Sequence, residues 1–387
     1  MYLLLIVLVG IITQVIWVSF SPIVDETMVY YGVDEIYITI LAASFMVFYI
    51  PVNSFSTKSL DKHGLKKGVG IGIILTAVGG LIRAVGGRNY WVCLTGQIIA
   101  AIGQPFVLNS FTKLSSNWFL ESEKTTAAGI GSISLFLGVI IAMLLPDMLG
   151  PSSIELMLWI YAILGLIIMV LFLVFAKDKP ESPPNKYADK AQFAKSPGGM
   201  KELFKNKDFT ILTIMVFLGL GIFNAITAVI DLIFTDAMYP GIVSGNVSAF
   251  MILGGIFGAI IISAISDKMH KRKIFLIIAF VAGVLLSALL GIFRDPILVY
   301  IISFVFGFIL VSSMPIGTTY GAEITFPIPE EQSNGILMTA GQISGIIFLV
   351  FPSELFLFIS AGIFAIGAVL SFLIHDTDWY ESKRASS

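Results

Sequence analysis

Five side chains able to hydrogen-bond or to attract a cation interrupt an otherwise oily chain: Gln14, Trp17, Gln104, Asn224 and Gln342. Each lies at or near the middle of an apolar run. A primary amide both donates and accepts hydrogen bonds, and an indole face attracts cations. Polar groups in hydrocarbon are costly, so these five are candidates to hold a polar or cationic small molecule. A second set is charged: Asp61, Lys113, Asp267, Lys271, Arg272 and Glu323 are all expected to meet on one side of the apolar runs. Such charges can pair in one conformation and separate in another, which is the behaviour of a gate. Asp231 stands apart, a carboxylate near the outer end of the seventh run and a possible coupling acid. Other chemistry lacks its residues. Cys93 is the single cysteine and the three histidines are His63, His270 and His375, so no cluster of metal ligands arises. Gly68, Gly70 and Gly72 fall inside an apolar run with no strand before them, which removes a phosphate loop. No metal, cofactor or nucleic acid is expected.

Twelve apolar runs carry these residues: 1–23, 35–56, 67–86, 91–115, 125–146 and 154–176, then 209–233, 247–266, 273–293, 296–318, 332–350 and 355–374. Each is close to the ~20 residues that cross ~30 Å of hydrocarbon as a helix. With 57% hydrophobic and 12% charged residues and a mean hydropathy of +0.95, the chain reads as an all-α, polytopic membrane protein. The first run lacks a basic start and a small-residue cleavage site, so it is a membrane helix rather than a signal peptide.

Every lysine and arginine except Arg83, Arg88 and Arg294 falls on one side of this alternation. Basic segments stay cytoplasmic, which places both termini inside. Residues 177–208 hold eight lysines with Pro180, Pro183, Pro184 and Pro197, the composition of a cytoplasmic tether. The expected organisation is a six-helix bundle over 1–176, the linker 177–208, a second bundle over 209–375 and a tail at 376–387.

The halves repeat. Asp61-Lys62-His63-Gly64-Leu65-Lys66-Lys67 follows the second run, and Asp267-Lys268-Met269-His270-Lys271-Arg272-Lys273 follows the eighth. Gln104-Pro105-Phe106 in the fourth run corresponds to Met314-Pro315-Ile316 in the tenth. Two like halves joined by a tether resemble a major facilitator superfamily transporter. The repeated loop is similar to that superfamily's G-x-x-x-D-[RK]-x-G-[RK]-[RK] signature, with Thr57 and Ser263 in place of the leading glycine.

Several segments resemble one branch, the feline leukaemia virus subgroup C receptor family of solute carriers. They are Met314-Pro315-Ile316-Gly317, Glu323-Ile324-Thr325-Phe326-Pro327, Gln342-Ile343-Ser344-Gly345-Ile346, Gln104-Pro105-Phe106 and Asn117-Trp118-Phe119, with Trp17 and Arg83. The resemblance implies facilitated transport of a small organic solute such as an amine or haem. It implies a midplane cavity lined by helices 1, 4, 7 and 10, with Trp17, Gln104 and Gln342 at pocket positions. Asn224 departs from it, because the position after Phe223 is commonly tyrosine in that family. The expected protein is a monomeric, multi-pass plasma-membrane transporter of two pseudo-symmetric bundles, whose partners are a small-molecule substrate and lipid. A proton-coupled transporter, with Asp231 or Glu323 titrating, is the rival of the same kind. A membrane receptor and a membrane enzyme are rivals of other kinds; short outer loops weigh against the first, and the missing nucleophile and metal motifs against the second.

Overall fold

The computed structural model describes residues 2–111, 114, 124–149, 154–177, 200–235, 238–269, 271–325, 328, 330–349, 351 and 355–376. Lys113, Asn117-Trp118-Phe119, His270, Phe326-Pro327 and residues 178–199 of the expected linker lie outside these, as does the side chain of Asp61. The chain divides into two compact units, Met1–Ala194 and Lys195–Ser387.

The described residues form twelve principal helices. In the first unit these are α1 (Tyr2–Val18), α2 (Glu35–Leu60), α3 (Lys62–Val85), α4 (Tyr90–Leu108), α5 (Lys124–Leu149) and α6 (Ile154–Phe175). In the second they are α7 (Lys207–Ala228), α8 (Ser244–Met269), α9 (Lys273–Ile292), α10 (Pro296–Thr325), α11 (Glu330–Phe348) and α12 (Phe356–Leu373). Nine of them are long and apolar enough to cross a membrane, and α1 and α5 contain shorter apolar stretches.

The internal repeat reappears as a packing pattern within each unit. In the first, α1 packs on α5, α4 on α2 and α3, and α6 on α3; in the second, α7 packs on α11, α8 on α10 and α9 on α12. Starts repeat as well. Asn89 caps α4 by accepting from the Trp91 and Val92 amides, and Asp295 caps α10 by accepting from the Leu298 amide. Small residues bring backbones together: a β-carbon at Gly79 would run into the Gly96 carbonyl, so α3 and α4 cross there only because both positions are glycine.

Helix boundaries differ from the sequence expectation at four places. The first run ends at Val18 rather than 23, because the chain turns through Ser19–Pro22 into a short helix, Val24–Tyr31, that closes on a left-handed Gly32 (φ 65°). The expected loop at 57–66 is almost wholly helical, broken at Gly64, whose φ of 83° and ψ of 178° suit glycine alone. The seventh run stops at Ala228; Val229 leaves helical torsions, and Ile230–Ile233 forms a separate turn. The tenth run is interrupted after Leu310 and resumes over Ser313–Thr325. Pro315 has no N–H for the Val311 carbonyl, which accepts from the Met314 amide instead.

Candidate solute site and its charged neighbours

Trp17 lies in the last turn of α1 and is buried, with its indole Nε1 donating to the Ala42 carbonyl of α2 at 3.2 Å. Gln14, one turn earlier, is 4% exposed, and its Oε1 has no hydrogen-bond partner among the described residues. Gln104 precedes Pro105 in α4, is 4% exposed, and makes no hydrogen bond to any described residue. Gln97 lies seven residues before it, on the same face of α4 and about 10 Å along the axis. That face meets α1, since Gln97 Nε2 lies 3.4 Å from the Ile16 carbonyl and 3.3 Å from that of Trp17. Gln97 thus joins α4 to α1, while the β-carbon of Gln14 lies beside Gly138 of α5 and the Trp17 ring turns to α2.

In the second unit, Asn224 of α7 is buried and its Nδ2 reaches the Gly341 carbonyl of α11 at 3.5 Å, a weak contact. Gln342 is the next residue, half-buried, with no hydrogen bond to a described residue. Asn224 and Gln342 thus flank one α7–α11 seam. The small side chain at Ser344 continues it, close against Gly221.

Three of the six charged candidates come together within the second unit. Arg272 Nη1 meets Asp267 Oδ1 at 2.6 Å, and Nη2 meets Glu323 Oε1 at 3.0 Å. Nε also donates to Glu323 at 3.2 Å, a fork on a carboxylate, while Nη1 reaches Ser266 Oγ at 3.0 Å. Burial alone would lower the Arg272 pKa, but its hydrogen bonds to Glu323 and Asp267 outweigh that and raise it. The Lys271 side chain, next in sequence, is exposed, while its carbonyl accepts from Ser266 Oγ at 2.8 Å.

Asp231 is not within a continuous α7: it sits in the turn after the break and accepts from Ser244 Oγ at 2.8 Å. Arg83 also departs from expectation. Its place at the end of α3 predicts a side chain reaching outward, yet it is 1% exposed and donates to the Ile16 carbonyl at 2.9 Å and Ser19 Oγ at 2.6 Å.

Sequence reasoning missed three polar centres. Gln97 is one; a glutamine in an apolar run, two turns from Gln104 on the same face, was the available signal. Asn109 at the end of α4 donates to Asn53 Oδ1 (2.7 Å) and Ser56 Oγ (2.8 Å), stitching α4 to α2. At the start of α7, buried Asp208 accepts from the His375 amide and lies 3.0 Å from His375 Nδ1, which ties the end of α12 to α7.

Twelve helices in two units with one repeated packing scheme, and a repeated Asp-Lys motif where the second helix of each meets the third, leave few folds to consider. Residues 3–349 match the Major Facilitator Superfamily. The chain belongs to that superfamily. It is 28% identical over 361 residues to solute carrier family 49 member A3 of Xenopus tropicalis, spanning 88% of this chain and 74% of that protein. It is 25% identical over 360 residues to the human choline/ethanolamine transporter FLVCR2, spanning 88% and 68%. Among solved structures, this facilitator resembles the nucleoside transporter NupG, with a TM-score of 0.71 at 16% identity over 96% of this chain and 99% of that one. A bacterial homologue of the lysosomal transporter Spinster gives the same TM-score at 11% identity, covering 96% of each. The chain is thus a multi-pass membrane transporter in a lipid setting, with a small-molecule substrate, and it resembles the feline leukaemia virus subgroup C receptor branch.

Proposed function

We propose that this facilitator carries a small polar or cationic organic solute by alternating access, as a monomeric uniporter of the plasma membrane with both termini in the cytoplasm. The observation that carries the reading is Gln104, an amide 4% exposed in an apolar helix and without a described partner. On α1, Gln14 Oε1 is fully buried with no hydrogen-bond partner among the described residues; leaving such an atom unpaired costs roughly 1–3 kcal/mol, which a bound solute's polar groups would recover. Gln342 adds a half-buried amide with no described partner in the second unit. Trp17 adds an aromatic face, and Asn224 a hydrogen-bonding wall where the related family commonly has an aromatic one. Relatives named as choline/ethanolamine transporters support an amine-bearing solute. Asn224 favours an ammonium that can donate hydrogen bonds, as in ethanolamine, over a quaternary one.

Uniport is favoured over proton coupling because both candidate acids are engaged: Ser244 donates to Asp231, and Arg272 pairs with Glu323. The test is uptake of labelled ethanolamine and choline into proteoliposomes with and without an imposed pH gradient. Saturable uptake with no accumulation against either gradient is expected. Gradient-driven accumulation would overturn the uniport assignment, and no saturable uptake of either amine would overturn the solute class.

A further inference from the structure

We propose that Gln97 is a positioning residue for Trp17, assisted by Arg83, so that the indole is set by α4 and α3 rather than by α1 alone. The proposal rests on the reading of Trp17 as a solute-contacting residue. Because α1 ends at Val18, the carbonyls of its last turn have no donors within the helix. Gln97, fully buried in α4, supplies them from the side: its Nε2 lies 3.4 Å from the Ile16 oxygen, 3.3 Å from that of Trp17 and 3.2 Å from that of Leu41 in α2. Two amide hydrogens thus serve three carbonyls. The reverse orientation would aim Oε1 at the same three oxygens, so the surroundings fix which way the amide points.

Arg83 completes the arrangement. Besides Ile16 and Ser19, its guanidinium lies over the Phe20 ring, 4.7 Å from the centroid. No carboxylate pairs with it among the described residues; its charge faces the carbonyl end of α1, where the helix dipole is negative. The indole, in turn, donates to Ala42, the residue after Leu41. Trp17 is therefore held at its backbone by α4 and at its ring by α2, through neighbouring peptides of α2. A glutamine that only joined two helices would need one of these carbonyls. Gln97 instead spans the peptide on either side of Trp17 and the α2 segment that receives its ring.

The test uses a variant in which Trp91, Trp118, Trp159 and Trp379 are phenylalanine, so that fluorescence reports Trp17 alone. Gln97→Met keeps the volume and removes the donors. Its Trp17 emission should shift, and ethanolamine affinity should fall about tenfold, whereas in a Trp17→Leu background the same substitution should leave the residual affinity unchanged. Arg83→Lys, which keeps the charge but loses the fork, should shift emission in the same direction by less. An equal loss of affinity in both backgrounds, or unchanged Trp17 emission, would overturn the proposal and leave Gln97 as a helix tie. If Gln97→Met does not fold, Gln97→Asn, one methylene short of the same carbonyls, is read by the same two outcomes. If Trp17→Leu itself leaves affinity intact, the solute-site reading fails separately, and emission alone still decides whether Gln97 sets the ring.

Discussion

Asn224 and Gln342 flank the same seam of the second unit: the Asn224 amide lies 3.5 Å from the carbonyl of Gly341, the residue before Gln342. Two neutral amides therefore stand on adjoining helices, and the longer of the two has no described partner. Under the proposed function, such a wall would hydrogen-bond the solute rather than cage it in rings.

Asn224→Tyr restores a π face on that seam. A cation–π contact is worth about 0.5–2 kcal/mol, so the preference for choline over a neutral polar solute should rise about two- to thirtyfold. Competition binding on the purified variant measures the ratio. An unchanged ratio in a protein of parental melting temperature would remove Asn224 from the solute's surroundings.

The Arg272 cluster predicts an order among substitutions. Arg272 is 7% exposed, and Glu323 accepts from two of its nitrogens. Glu323→Gln should lower stability by about 1–2 kcal/mol. Asp267→Asn should cost less, because that carboxylate is 59% exposed and its pairing is screened by solvent. Thermal unfolding in detergent gives the order, and the reverse order would show that Asp267 is the partner holding the guanidinium.

Topology has its own test. A variant lacking Cys93, the single cysteine, accepts new cysteines in the linker at Ser182 or Ser196 and near the outer end of α3 at Arg88. In intact cells an impermeant maleimide should label the Arg88 site and spare both linker sites. Labelling of the linker from outside would invert the assignment of both termini.

Periodicity made the number of helices and the internal repeat legible, because an apolar run of fixed length has one stable form in a bilayer. Helix ends were not. Trp17 reads as lying about one and a half turns from the end of a run to residue 23, but α1 stops at Val18, where Pro22 follows closely and Arg83 and Gln97 cap it from far along the chain. The same long-range acceptors explain Arg83. Its position predicts an outward side chain, while the carbonyl end of α1 draws it inward. Asp267, Arg272 and Glu323 were named from sequence, and their meeting within the second unit depends on α8 and α10 packing together. Gln104 and Gln342 stand out in the sequence because an amide in an apolar run is conspicuous. Gln97 met the same criterion and was passed over.

The proposed solute contacts of Gln104 and Gln342 are tested most directly by calorimetric titration of Gln104→Ala and Gln342→Ala with ethanolamine. Removing an amide that contacts the solute leaves polar groups of the ligand unpaired, at a cost of ~1–3 kcal/mol. Affinity should therefore fall roughly ten- to hundredfold in each variant, with melting temperature close to the parent's. Parental affinity in both variants would place the solute elsewhere.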